Sequence, residues 1–163
     1  MTNISSSLTS YVYGLLTSDT GLNSVLQAYR QAEGTNRPDD VSFFSVQNTS
    51  PEIIERSTQT QYPAVLAYCD KLSNSLKEKF RTFSGNCRMV IEVRCSQDRL
   101  QGLERTLEQY TDAVCAVLDG ARGDWQDGAF YTGGYDIAYG AVRHGGKNFL
   151  QTAKVSFEVE ISR

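Results

Sequence analysis

The sequence predicts an α+β fold built on a mainly antiparallel sheet. Three observations carry this. The stretch 153–162 alternates strictly: Ala153, Val155, Phe157, Val159 and Ile161 share one face, and Lys154, Ser156, Glu158, Glu160 and Ser162 the other. That is the period of a strand with one buried side. CRMVIEVRCSQD does nearly the same, with Met89, Ile91, Val93 and Cys95 on one side and Arg88, Glu92 and Arg94 on the other; Val90 alone interrupts the polar side. Between them, Leu100, Leu103, Leu107, Tyr110, Val114 and Val117 recur every three or four residues, as one face of a helix does. Strands and helices are grouped along the chain, unlike the alternation of parallel βαβ units.

Taken in order, the first element is a helix. Ile4, Leu8, Tyr11 or Val12, and Leu15 fall at helical spacing, and Thr2 or Asn3 is placed to cap them. TSDTG breaks the pattern, and Leu22, Val25, Leu26 and Tyr29 form a second apolar stripe that ends near Gly34 and Pro38. VSFFSV (41–46) is β-branched and aromatic, a strand composition. QNTSPEIIERSTQTQ (47–61) is polar, contains Pro51 and lacks periodicity, so it reads as an extended excursion or arm carrying the apolar Ile53 and Ile54. YPAVLAYC (62–69) is a strand with proline at its start. KLSNSLKEKFR (71–81) is basic and admits a phosphate contact, but with its acidic balance reads as a solvated loop or helix face. After the strand at 87–97 comes the long amphipathic helix, expected over about 98–119, with Asp98 as cap and Gly120 just past its end. It packs on one face of the sheet. Glycine pairs at 133–134 and 145–146 bracket YDIAYGAV as a strand between turns, ahead of the terminal strand.

Composition fits one soluble domain spanning 1–163. The chain is 40% hydrophobic and 21% charged, with a net charge of −3. It lacks the basic excess of a nucleic-acid binder, and no apolar run approaches the roughly 20 residues needed to cross a membrane. The N-terminus has no basic residue ahead of its apolar part, unlike a secretory signal. Cys69, Cys87, Cys95 and Cys115 form no CxxC pair and read as reduced, small hydrophobes of a cytosolic protein. His144 has no ligand-spaced partner, which argues against zinc.

No nucleotide-binding glycine motif, GxSxG, HExxH or EF-hand pattern occurs. His144 sits in the turn-like VRHGGK without an orienting partner, and Asp124, Asp127 and Asp136 read as solvated turn residues. The expectation is no catalytic residue, no metal and no cofactor. WQDGAFYTGGY admits two readings. Trp125, Phe130, Tyr131 and Tyr135 are a partner-binding aromatic loop, because Trp and Tyr anchor interfaces; or Trp125 and Phe130 close one end of the core.

FSGNCRMVIEVRCSQDRLQGLERTLEQYTDAVCAVL, a strand running into a helix, followed by GGYDIAYGAVRHGGKNFLQTAKVSFEVEIS, resembles the tail terminator (tail completion) proteins of long-tailed bacteriophages. The resemblance covers roughly 62–163 and lies in element order and texture. It implies a structural virion protein at the tail–neck junction, assembled in the host cytoplasm. It would form a closed ring, a homohexamer, that caps the tail tube and joins it to the head. Partners would be other copies of the chain, the tail tube and sheath protein, and a head-proximal neck protein. Genomic DNA would pass through the centre without specific binding. Arg94 and Lys154 are then candidates for the lumen. Trp125, Phe130, Tyr131 and Tyr135, with Pro51, Ile53 and Ile54 of the excursion, are candidates for subunit or ring-to-ring contacts. The alternatives are another neck ring protein, or a non-viral cytosolic adaptor that binds a peptide at a sheet edge.

Overall fold

The computed structural model describes residues 3–33, 39–51, 53, 62–145 and 147–163. Helix α1 (Ile4–Thr17) begins at Asn3, whose side chain accepts from the Ser6 amide at 3.4 Å. Leu8, Val12 and Leu16, four residues apart, are its buried stripe. At the turn into helix α2 (Leu22–Glu33), a Cβ on Gly21 would collide with the Leu16 carbonyl, so the tight reversal requires glycine there. Leu22 and Leu26 are fully buried. Asn23 then anchors the outgoing chain by accepting from the Val41 amide at 2.9 Å.

The sheet contains β1 (Phe43–Ser45), β2 (Ala64–Asn74), β3 (Ser84–Gln97), β4 (Gly123–Asp124), β5 (Ala129–Tyr131), β6 (Asp136–Tyr139), β7 (Arg143–Gly145) and β8 (Asn148–Ser162). Its order is β1-β2-β3-β8-β5-β4, with β6 and β7 also on β8. The β1–β2 pairing is parallel and the others are antiparallel. The terminal strand β8 is central. One of its edges pairs with β3 from Phe149↔Gln97 to Ser162↔Ser84, and the other takes β7, β6 and β5 in turn. A strand hydrogen-bonded along both edges has no free side from which to fray.

Helix α3 (Leu103–Asp119) packs on β3 and β8. Leu103, Leu107, Tyr110, Val114 and Leu118 meet Met89, Ile91, Val93, Val155, Phe157, Val159 and Ile161 in one core, to which α1 and α2 add their leucines. The helix is shorter than the expected 98–119. Gly102 holds a left-handed conformation (φ 84°) at its start, without a side-chain cap. Gln97 donates to the carbonyls of Arg99 and Gln101 and holds the preceding residues as a turn. Asp98 is therefore not the cap, and Leu100 is exposed. At 17 residues the helix is about 25 Å long.

The opposite face of the sheet is covered as well, over β2 and β3. Ala64, Leu66, Tyr68 and Val90 form a second, smaller cluster with Phe43 and Tyr62 against it. This accounts for Val90, the residue that interrupted the polar side of its strand.

Candidate functional site

Two features of the surface stand apart from the core: the part of the β2 edge that has no strand beside it among the described residues, with the hairpin tip beyond it, and a cleft on the second face.

β1 pairs β2 only over Ala64–Leu66. Among the described residues, the outer edge of β2 from Ala67 to Asn74 has no strand beside it. A bulge between Cys69 and Lys71, with Asp70 and Lys71 exposed, interrupts this edge. Bulges and charges restrict an edge to partners that match them. The chain then turns through 75–83 into β3. The base of this turn is well tied. Asn74 accepts from the Ser84 amide at 3.0 Å, Thr82 N–H donates to the Arg163 carbonyl at 2.7 Å, and Arg163 N–H donates to Phe83 O at 2.8 Å. Glu78 accepts from the Ser162 hydroxyl and lies 3.5 Å from Arg81. On this anchored base, Phe80 is fully exposed at φ 64°, with Leu76 also left-handed at φ 49°. An aromatic residue in that region carries a backbone cost of about 1–2 kcal/mol, and its exposed ring gains nothing from burial. Lys77, Lys79 and Arg81 surround it.

On the second face, Glu92 is the centre of a buried polar network. Arg94 Nε donates to Glu92 Oε1 at 2.9 Å, and the two side chains are 1% and 6% exposed. Tyr68 donates its hydroxyl to Glu92 Oε2 at 3.0 Å, and Arg94 Nη2 donates to the Thr49 carbonyl. Burial, then the Glu92 charge, push the Tyr68 phenol well above its usual range. The first residues of the excursion are thus pinned onto the sheet by Arg94. Beside them lies a cleft of about 280 Å³ lined by Pro51, Glu92, Tyr139, Arg143, Thr152 and Lys154, among others.

Arg94 is the main correction to the sequence reading. It was expected on a wet face, as a lumen candidate, but it is sealed under the 49–51 segment against a carboxylate. Lys154, the other lumen candidate, is exposed beside Glu92 in the register. The aromatic loop divides. Trp125 and Tyr131 are buried, with Trp125 stacked near Tyr11 at 4.7 Å and Tyr131 near Phe157 at 5.2 Å. Trp125 donates its indole N–H to the Ala121 carbonyl at 2.6 Å. These two close the core and are not surface anchors. Phe130 is 47% exposed and Tyr135 is half-buried. Pro51 is half-buried and Ile53 exposed; Ile54 and most of 52–61 lie outside the described residues. His144 is exposed beside the Phe149 ring. Among the described residues no cluster of three or more His, Cys, Asp or Glu is placed to hold a metal ion, and no helix is long and apolar enough to cross a membrane.

The sequence reading missed Phe80, whose surroundings read only as charged, and the Glu92–Arg94 pair. A signal for the pair was present: an apolar Val90 in line with two opposite charges at i, i+2 marks a covered face. No protein-family model matches the chain, and no curated protein is significantly similar to it.

Proposed function

We propose that the chain is a ring-forming structural subunit of a long-tailed phage, closing the tail tube and joining it to the neck, with DNA passing through the centre. The observation that carries the assembly part of this reading is Phe80, fully exposed in a left-handed conformation on a tied hairpin end. Such a residue is costly in the isolated subunit, and burial against a neighbour recovers that cost. The stretch of the β2 edge that has no strand beside it among the described residues lies next to it, so strand edge and knob face neighbours together. The phage assignment comes from the resemblance of 62–163 in element order. A subunit carrying −3 forms a negative ring, which suits DNA that slides through. Lys154 is the lumen candidate that keeps an exposed charge; Arg94 is not proposed for it. Neck or tube proteins are the partners for the hairpin tip, and Phe130 with Ile53 adds apolar surface elsewhere.

A neck ring protein of another kind would use the same surfaces. An adaptor that adds one peptide strand is favoured by the β2 edge alone and leaves Phe80 unused. Light scattering on the purified protein and negative-stain images of tails separate these. The ring reading expects a closed oligomer at high concentration, or the protein at tail ends. A monomer at all concentrations that is also absent from tails refutes it, and a monomer binding one extended peptide establishes the adaptor. Submicromolar binding to duplex DNA at physiological salt refutes the sliding channel alone.

A further inference from the structure

We infer that Cys69 and Cys87 are a redox modification site: a dithiol that closes to a cross-strand disulfide between β2 and β3. Their sulfurs lie 3.1 Å apart. Non-bonded carbon atoms rest at about 3.5–4.0 Å, and sulfur is larger. The contact has a local cause. Cys69 is in register with Met89, two residues from Cys87, which is an offset position across an ordinary antiparallel pair. The bulge at Asp70 then shifts the register so that Leu72 faces Cys87. It also leaves Cys69 and Cys87 on the helix-facing side, packed together in the main core. A disulfide needs about 2.05 Å between sulfurs, so they must approach by about 1 Å. Cys95 and Cys115 are also free and buried.

The two thiols are unequal. Cys87 is fully buried, and burial raises its pKa far above the thiol range, with the Cys69 hydrogen bond adding to this. Cys69 is half-buried at the margin of the core, two residues from exposed Lys71. Oxidation therefore enters at Cys69. Its thiolate attacks a small-molecule disulfide such as oxidised glutathione, forms a mixed disulfide and expels one thiolate. Cys87 then loses its proton to that base and attacks Cys69 Sγ, expelling the second. Two protein thiols are oxidised to one disulfide, one glutathione disulfide is reduced to two thiols, and the two protein protons end on the released thiols. The bond staples β2 to β3 where β1 no longer covers the edge. A protein made in a reducing cytosol and later exposed to oxidising surroundings would gain this staple after folding. The inference does not depend on what the chain assembles into.

The test uses the full chain at neutral pH, reduced and then treated with oxidised glutathione. The expected product has lost two hydrogens in its intact mass. Trypsin under non-reducing conditions releases the peptide ending at Lys71 joined to the one ending at Arg88. Its Tm rises by about 5–10 °C, reversibly with dithiothreitol. Cys69→Ser abolishes both the mass change and the shift, whereas the Cys95→Ala, Cys115→Ala double variant keeps both. Should Cys69→Ser not fold, Cys87→Ala serves in its place. Oxidation that stops at stable mixed disulfides, a bond mapped to Cys95 or Cys115, or a linked product with unchanged Tm overturns the inference.

Discussion

The Glu92–Arg94 pair offers the sharpest test of the second buried face. Replacing Glu92 with Leu removes the acceptor of both Arg94 Nε and the Tyr68 hydroxyl. The guanidinium remains in a site where its side chain is 1% exposed, and Nη1 already lacks a hydrogen-bond partner among the described residues. Breaking such a pair from one side costs about 3–5 kcal/mol, because an uncompensated charge stays buried. For a chain of this size that is a fall in Tm of about 6–20 °C. Replacing both residues, as Glu92→Leu with Arg94→Met, removes the charge as well as its partner. A buried pair exchanged for apolar groups of similar volume is close to neutral, so the double variant should regain part of the loss, the remainder being the Tyr68 hydroxyl left without its acceptor. Urea unfolding followed by the fluorescence of Trp125, the single tryptophan, measures each member of the cycle. The coupling should also be nearly unchanged between low salt and 0.5 M salt, which screens exposed pairs but not buried ones. A loss below about 1 kcal/mol for Glu92→Leu, or losses that simply add in the double variant, would show that the pair is hydrated and the second face open.

Three further outcomes are expected. Leu107→Asp places a carboxylate in the fully buried contact between α3 and the sheet, at a cost of at least about 4 kcal/mol; wild-type melting would overturn the core assignment. Phe80→Gly removes an exposed ring and relieves a left-handed backbone, so stability rises by about 0.5–1 kcal/mol while assembly weakens; equilibrium unfolding and light scattering check the two signs, and unimpaired assembly removes Phe80 from the interface. Stability should decline in alkali: burial pushes the Cys95 thiol and the Tyr131 phenol up to about 12, against about 8.5 and 10 in the unfolded chain. Both folded values are raised, so their contribution is complete below about pH 8.5 and is lost progressively toward pH 12. Cys95→Ala should reduce the first part of that decline, to which buried Cys87 and Cys115 also contribute, and a urea midpoint independent of pH from 8 to 11 would contradict the burial of both.

The elements most legible in the sequence were those whose pattern reports one partner surface. β8 and α3 each have a clean wet side, so their periods of 2 and 3.6 show through. β3 has partners on both faces below Arg88, and there alternation of polarity ceases to report exposure: Glu92 and Arg94 look wet and are buried because they satisfy each other. YDIAYGAV (135–142) reads as one strand, yet β6 stops at Tyr139 and the next strand, β7, begins only beyond the segment at Arg143. Gly140 N–H still donates to Thr152 O at 2.8 Å, but the Gln151 side chain takes the Gly140 carbonyl at 3.0 Å and the chain leaves the ladder. No local pattern announces a competition of that sort. The fate of Trp125 was equally hidden. Gln126, Asp127 and Gly128 all take positive φ and fold the loop back, which turns Trp125 and Tyr131 inward and leaves Phe130 out. For the proposed assembly surface, the charges of 77–81 were legible, but the exposure of Phe80 comes from the backbone of a turn.

The position of β8 also governs how the chain reaches its fold. The strand that holds the sheet together is synthesised after every strand it joins. Until it emerges, β3 offers Ser84–Gln97 as an unpaired apolar edge, and β5, β6 and β7 have no ladder to enter. Val90 meets Ser156 only across the intervening helix and four short strands. Pairing at such separation closes slowly, because the chain entropy must be lost before contacts repay it. The nascent chain therefore passes through a stage with β2 and β3 joined as a hairpin and α3 seated on half its floor, a form prone to self-association. A stop codon before residue 148 would trap that stage, and the expected product is insoluble material with an exposed β3 edge.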